Sequence, residues 1–134
     1  MVVSTYAQGG SIAPVNTATI TFISAIATIN VTSPTQAILV DASAALGSVA
    51  VGGGTNLRLS ICWQLGAGLL NDNGDFHLGL RVAQNTRDLW SLTGRFTGLA
   101  AGAYKVGLCG TAEGTAAGWN SNEWSRTRAV LVNQ

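Results

Sequence analysis

Three groups of residues in this chain are equipped for chemistry, each of a different kind. Trp119 and Trp124 flank Asn120-Ser121-Asn122-Glu123 in a Gly-rich segment late in the chain. An indole offers a flat apolar face, and Asn and Glu offer hydrogen-bonding groups beside it. Such a set can stack on a sugar ring while bonding its hydroxyls. Trp119, Asn120, Asn122 and Trp124 are therefore candidate carbohydrate-binding residues. The competing reading has both indoles plugging the open end of a sandwich or packing against another subunit. Cys62 and Cys109 are the second group, and their chemistry is cross-linking. The third is His77, the single histidine, through which any Ser-His or Cys-His nucleophilic pair would have to work.

His77 alternates with Phe76, Leu78 and Leu80 in a strand-like run, which predicts that it faces solvent or an interface rather than a catalytic pocket. The carboxylates Asp41, Asp72, Asp75, Asp88, Glu113 and Glu123 show no spacing that marks a glycosidase pair. Asn71 to Asp75 resembles a calcium loop only superficially. It lacks the acid at the twelfth position and runs on into an apolar strand, so a hairpin turn is expected there. Gly52-Gly53-Gly54 has no following Lys-Ser/Thr, so no phosphate loop is read. With two cysteines and a distant histidine, no metal site, no cofactor and no catalytic residue is expected.

The elements that must position these residues are strands. Only 10% of the 134 residues are charged and 47% are hydrophobic, with a formal net charge of +1. Seven basic residues, a single Lys among them, are too few for an electrostatic nucleic-acid surface, so no nucleic-acid partner is expected. No apolar run reaches the roughly 18 residues of a membrane span, and no membrane insertion is expected. The start, MVVSTYAQGG, lacks the basic and apolar pattern of a secretory leader. Low charge and two cysteines nonetheless point to an exposed or extracellular setting.

Alternation of period two recurs between Gly, Asn and Thr clusters, and no clean 3.6-residue period appears. Thr19 to Val31 alternates with a break near Ser24-Ala25 that predicts a bulge. Ala37 to Ala45 places Ile38, Val40 and Ala42 on one side. After the Val51 to Thr55 turn, Leu57, Leu59, Ile61, Trp63 and Leu65 face one way, and Arg58, Ser60, Cys62 and Gln64 the other. Further strands are predicted over Phe76 to Val82, Asp88 to Phe96, Ala103 to Cys109 and Arg126 to Val132, with a loop from Gly110 to Asn122. Short strands at this spacing predict an antiparallel sandwich or barrel. Residues 1–134 are read as one β-sandwich domain, with 1–16 as an extended N-terminal arm. Cys62 and Cys109 each lie opposite their strand's large apolar residues. If those strands are neighbours the thiols can form a cross-strand disulfide; otherwise both are free and merely fill space.

The segment "LWSLTGRFTGLAAGAYKVGLCG" carries Leu-x-x-Gly-x-Tyr-x-Val-x-Leu at Leu99, Gly102, Tyr104, Val106 and Leu108. With "AILVDASAAL", "NLRLSICWQL" and the closing "RAVLVN", it resembles the penultimate hairpin and strand order of jelly-roll heads. These belong to the tumour necrosis factor and globular complement-head superfamily, including bacterial and phage fibre heads. The resemblance implies an antiparallel jelly-roll β-sandwich of seven to ten short strands that assembles as a compact trimer, and it brings no catalytic residues. Strands apolar on both faces, as in Thr19 to Val31 and Ala37 to Ala45, fit a sheet between its own core and a neighbour. The expected function is that of a non-enzymatic, self-assembling head: a phage or virion fibre or decoration element, or a bacterial surface adhesin. Its contacts, to a glycan or a surface receptor, would come from the loops Asn71 to Asp75, Gln84 to Asp88 and Gly114 to Asn122. The alternative is a carbohydrate-binding module or lectin using the Trp119–Trp124 loop.

Overall fold

The computed structural model describes residues 3–134. Among the described residues ten strands form: β1 Val3–Gly10, β2 Thr21–Phe22, β3 Ala27–Val31, β4 Gln36–Ser48, β5 Gly54–Leu65, β6 Asn71–Asp72, β7 His77–Val82, β8 Thr86–Phe96, β9 Gly102–Thr111 and β10 Trp124–Asn133. They make two antiparallel sheets. One is four-stranded in the order β1-β10-β4-β8; in the other β9 and β5 form the centre, with β2 and β3 on one side and β6 and β7 on the other. Sequence neighbours repeatedly sit in opposite sheets, as in a jelly roll.

The core lies between the sheets and follows from the period-two pattern. Ile38, Val40, Ala42, Ala44 and Leu46 of β4 face Leu57, Leu59 and Ile61 of β5 and Tyr104, Val106 and Leu108 of β9, all buried. At Gly94 the sheets approach so closely that a Cβ would sit 2.9 Å from the Ile61 side chain. Only a residue without a side chain fits there.

The break in the Thr19 to Val31 run has a hydrogen-bond cause. The N–H groups of Ile23 and Ser24 both donate to the Leu108 carbonyl, at 2.8 and 3.2 Å, which is a bulge. The turned-in Ser24 Oγ accepts from the Leu108 N–H at 2.8 Å and meets the Thr127 hydroxyl of the other sheet at 2.8 Å. A buried polar bridge thus joins the two layers where the strand interrupts itself.

Met1 and Val2, the start of the predicted extended arm, lie outside the described residues; Val3 to Gly10 are extended, as β1. They pair residue for residue with β10, from Val3 opposite Leu131 to Gly10 opposite Trp124. Trp124 belongs to no loop: it opens β10, two residues before the predicted start.

Candidate functional site

The segment between β9 and β10 determines what the candidate sugar-binding residues can do. Trp119 is 1% exposed and packs into the core cluster. Its indole N–H donates to the Thr55 carbonyl at 2.9 Å. Gly54 makes the room, because a Cβ there would lie 2.8 Å from the indole. Asn120 Oδ1 accepts from the Val49 N–H at 2.9 Å. Asn122 Oδ1 accepts from the Gly47 N–H at 3.2 Å, and its amide donates to the Trp119 carbonyl at 2.8 Å. Both asparagines therefore work as splints that stitch residues 119–123 to the end of β4. Arg87 completes the seam, donating to the Ser121 carbonyl and hydroxyl, each at 2.8 Å.

The quartet is thus divided: Trp119 plugs the sandwich, Asn120 and Asn122 each accept a backbone N–H through Oδ1, and Asn120 and Trp124 are its exposed members. Burying one indole with its N–H satisfied is worth several times a surface stack, which is why the loop turns inward.

Trp124 instead joins a different surface, the outer face of the four-stranded sheet. Reading across β1, β10, β4 and β8, successive rows are Ser4, Val130, Leu39 and Arg95, then Tyr6, Arg128, Asp41 and Thr93, then Gln8, Arg126, Ser43 and Ser91. In the next row Gly10 lies opposite Trp124, and Ala45 opposite Leu89. Tyr6, Leu39, Leu89 and Trp124 are 55, 39, 63 and 56% exposed. Apolar groups, arginines and hydroxyls therefore share one pleated surface. A shallow groove runs through it between Tyr6, Ser43, Leu89, Ser91, Arg126 and Arg128.

Cys62 and Cys109 sit on the outer face of the other sheet. β5 and β9 are hydrogen-bonded neighbours, with Ser60 opposite Cys109 and Cys62 opposite Gly107. The cysteines are diagonal partners, 5.8 Å apart at Cα, and are joined as a disulfide. His77 is exposed at the start of β7, far from both cysteines in sequence. Nearby, the Arg58 guanidinium lies 4.1 Å over the Phe76 ring, a cation–π contact that holds the β6–β7 connection down.

Sequence reading had no signal for this mixed apolar and basic face. Its residues alternate singly along four strands, and only the register places Tyr6, Arg128 and Asp41 side by side.

No protein-family model matches the chain, and no curated protein matches it. Among solved structures, that of the infectious bursal disease virus Gx strain is similar over 99% of this chain and 32% of that chain, with a TM-score of 0.53 at 15% identity. The VP2 subviral particle of the same virus gives 0.52 at 14% identity, covering 99% of this chain and 33% of the other. The globular domain of a zebrafish complement 1qA protein gives 0.48 at 10% identity, over 96% of this chain and 95% of that one. The present chain thus spans about a third of the length of the viral chains it matches. Similarity at this level concerns the fold, and the fold is an antiparallel jelly-roll β-sandwich.

Proposed function

We propose that this chain is a non-enzymatic jelly-roll head that assembles with copies of itself through the outer face of its four-stranded sheet. The observation that supports this is the exposure of Tyr6, Leu39, Leu89 and Trp124 together on that face. At about 25 cal/mol per Å² of apolar area, covering such a patch favours association by several kcal/mol before the entropy of docking is subtracted. Arg126, Arg128 and Asp41 on the same surface supply polar contacts that fix one register. The trimer is the state implied by the resemblance to tumour necrosis factor-like heads. Assembly of this kind suits a virion or phage fibre or decoration element, or a bacterial surface adhesin, whose exposed loops meet a glycan or receptor.

Light scattering on a sizing column tests the reading. A mass of three chains that persists on dilution is expected. A single-chain mass at every concentration overturns it.

A further inference from the structure

A second cleft opens where the connection between β8 and β9 closes one end of the sandwich, meeting the outer sheet face at Arg95. Its base is aromatic. The half-buried Trp63 ring packs edge-on to Phe96 at 6.3 Å between centroids and tilted to Tyr104 at 5.5 Å. The Tyr104 hydroxyl donates to the Ala100 carbonyl at 2.8 Å, anchoring the 97–101 loop as one wall. Burial raises the Tyr104 phenol above its ordinary pKa, so it remains a neutral donor.

The rim is polar. Asp72 and Asn73 contribute from one side, and Arg95 and Thr97 from the other. The cleft, open rather than enclosed, has a volume of about 420 Å³, within the range of small-molecule sites. Asp72 Oδ1 accepts from the Gly74 N–H at 2.6 Å, and Asn73 Oδ1 accepts from the Ser60 hydroxyl at 2.7 Å and the Asp75 N–H at 3.1 Å. Those bonds fix both side chains while sparing the other Asp72 oxygen and the Asn73 NH2. The one ion pair among the described residues is Arg87 with Glu123, so Asp72 and Arg95 do not neutralise each other.

An aromatic floor under a rim of donors and acceptors selects a ligand with one apolar face and a hydroxylated edge. Opposite charges on the same rim disfavour a ligand of net charge of either sign. We propose that this cleft binds one neutral pyranose ring, its C–H face on the Trp63 indole and its hydroxyls on Asp72, Asn73 and Thr97. The site is built from one chain and shares no residue with the Trp119–Trp124 segment; of its lining only Arg95 also lies on the outer sheet face, and the residues assigned to the sugar do not.

The test is a nitrogen-15 amide and indole titration with D-galactose, D-mannose, L-fucose and N-acetyl-D-glucosamine, with glycerol as control. At least one sugar is expected to shift the Trp63 indole and Thr97 amide signals saturably in the millimolar range, and glycerol is not. Asp72→Asn keeps the Oδ1 acceptor for Gly74 but loses the free carboxylate oxygen; it is expected to weaken binding about tenfold with the spectrum otherwise native. Thr97→Val, at an exposed position, is expected to weaken it less. Absence of saturable shifts with all four sugars overturns the proposal. So do equal shifts with glycerol, shifts confined to Trp124, or unchanged affinity in Asp72→Asn.

Discussion

The outer faces of the two sheets are closed in opposite ways. On the six-stranded sheet, Ser60, Cys62, Gly107 and Cys109 are small and buried. The chain covers them itself: the Asn73 N–H donates to the Ile61 carbonyl, and Ser60 donates to Asn73 Oδ1 and the Asp75 carbonyl. On the four-stranded sheet the matching positions carry Tyr6, Leu89, Trp124, Arg126 and Arg128, all exposed, with no loop among the described residues laid over them. Small residues let a chain fold back on its own sheet, whereas large amphipathic ones hold a face open for another molecule. One face is closed by its own chain, and the other is the face proposed above for contact. Substitutions should separate the two properties.

The largest effect on stability is expected from the closed face. Cys62 and Cys109 are 47 residues apart in sequence, and a cross-link over a loop of that length stabilises by about 4 kcal/mol in the chain-entropy model. The double replacement Cys62→Ser, Cys109→Ser should cost about that much in urea unfolding. The native mass by light scattering should not change. A changed mass would mean that the closed face also makes contacts, and the contrast would fail.

Ser60→Ala should have an intermediate effect. It removes a buried hydroxyl that donates at 2.7 Å to Asn73 Oδ1 and at 3.1 Å to the Asp75 carbonyl. The loss should be about 1–2 kcal/mol, with faster amide exchange confined to residues 71–76. Uniformly faster exchange would instead show that this cover belongs to the cooperative core.

What sequence reveals differs between these regions for physical reasons. β4, β5 and β9 were legible because each alternates large aliphatic residues with small or polar ones; their spacing gave an antiparallel sandwich or barrel, and the jelly-roll order was what the resemblance of the Leu89 to Gly110 segment implied. β1 was not, since its inward positions Thr5, Ala7 and Gly9 are small and give almost no periodic signal. Its strand character comes from pairing with β10. The Trp119–Trp124 segment shows the same limit for the candidate site. Two indoles five positions apart look equivalent in a loop, yet one enters a hole left by Gly54 more than sixty residues earlier and the other begins a strand. Pairing and cavities are long-range facts, and composition near a residue does not contain them. The adjacency of Cys62 and Cys109 is of the same kind, since the alternation gave their side but only the β5–β9 register brings them together.

The smallest effect on stability, and the sharpest on contact, is expected on the open face. Leu89 is 63% exposed, its strand β8 is the edge of its sheet, and its side chain contributes nothing to the core cluster. Leu89→Arg should therefore change unfolding free energy by no more than about 0.5 kcal/mol, as surface substitutions do. If this face is the one that copies of the chain share, each assembled contact would then bury a further cation beside Arg126, Arg128 and Arg87, in excess of Asp41 on the same surface, at a cost of several kcal/mol. The expected result is a folded single-chain species with a native unfolding curve. Joining Trp124→Ala to it should abolish any residual association at high concentration without a further loss of cooperativity. A variant that keeps the wild-type mass would move the interface elsewhere. A variant that unfolds would mean that the outer residues of β8 belong to the fold, and the division of labour between the two faces would have to be abandoned.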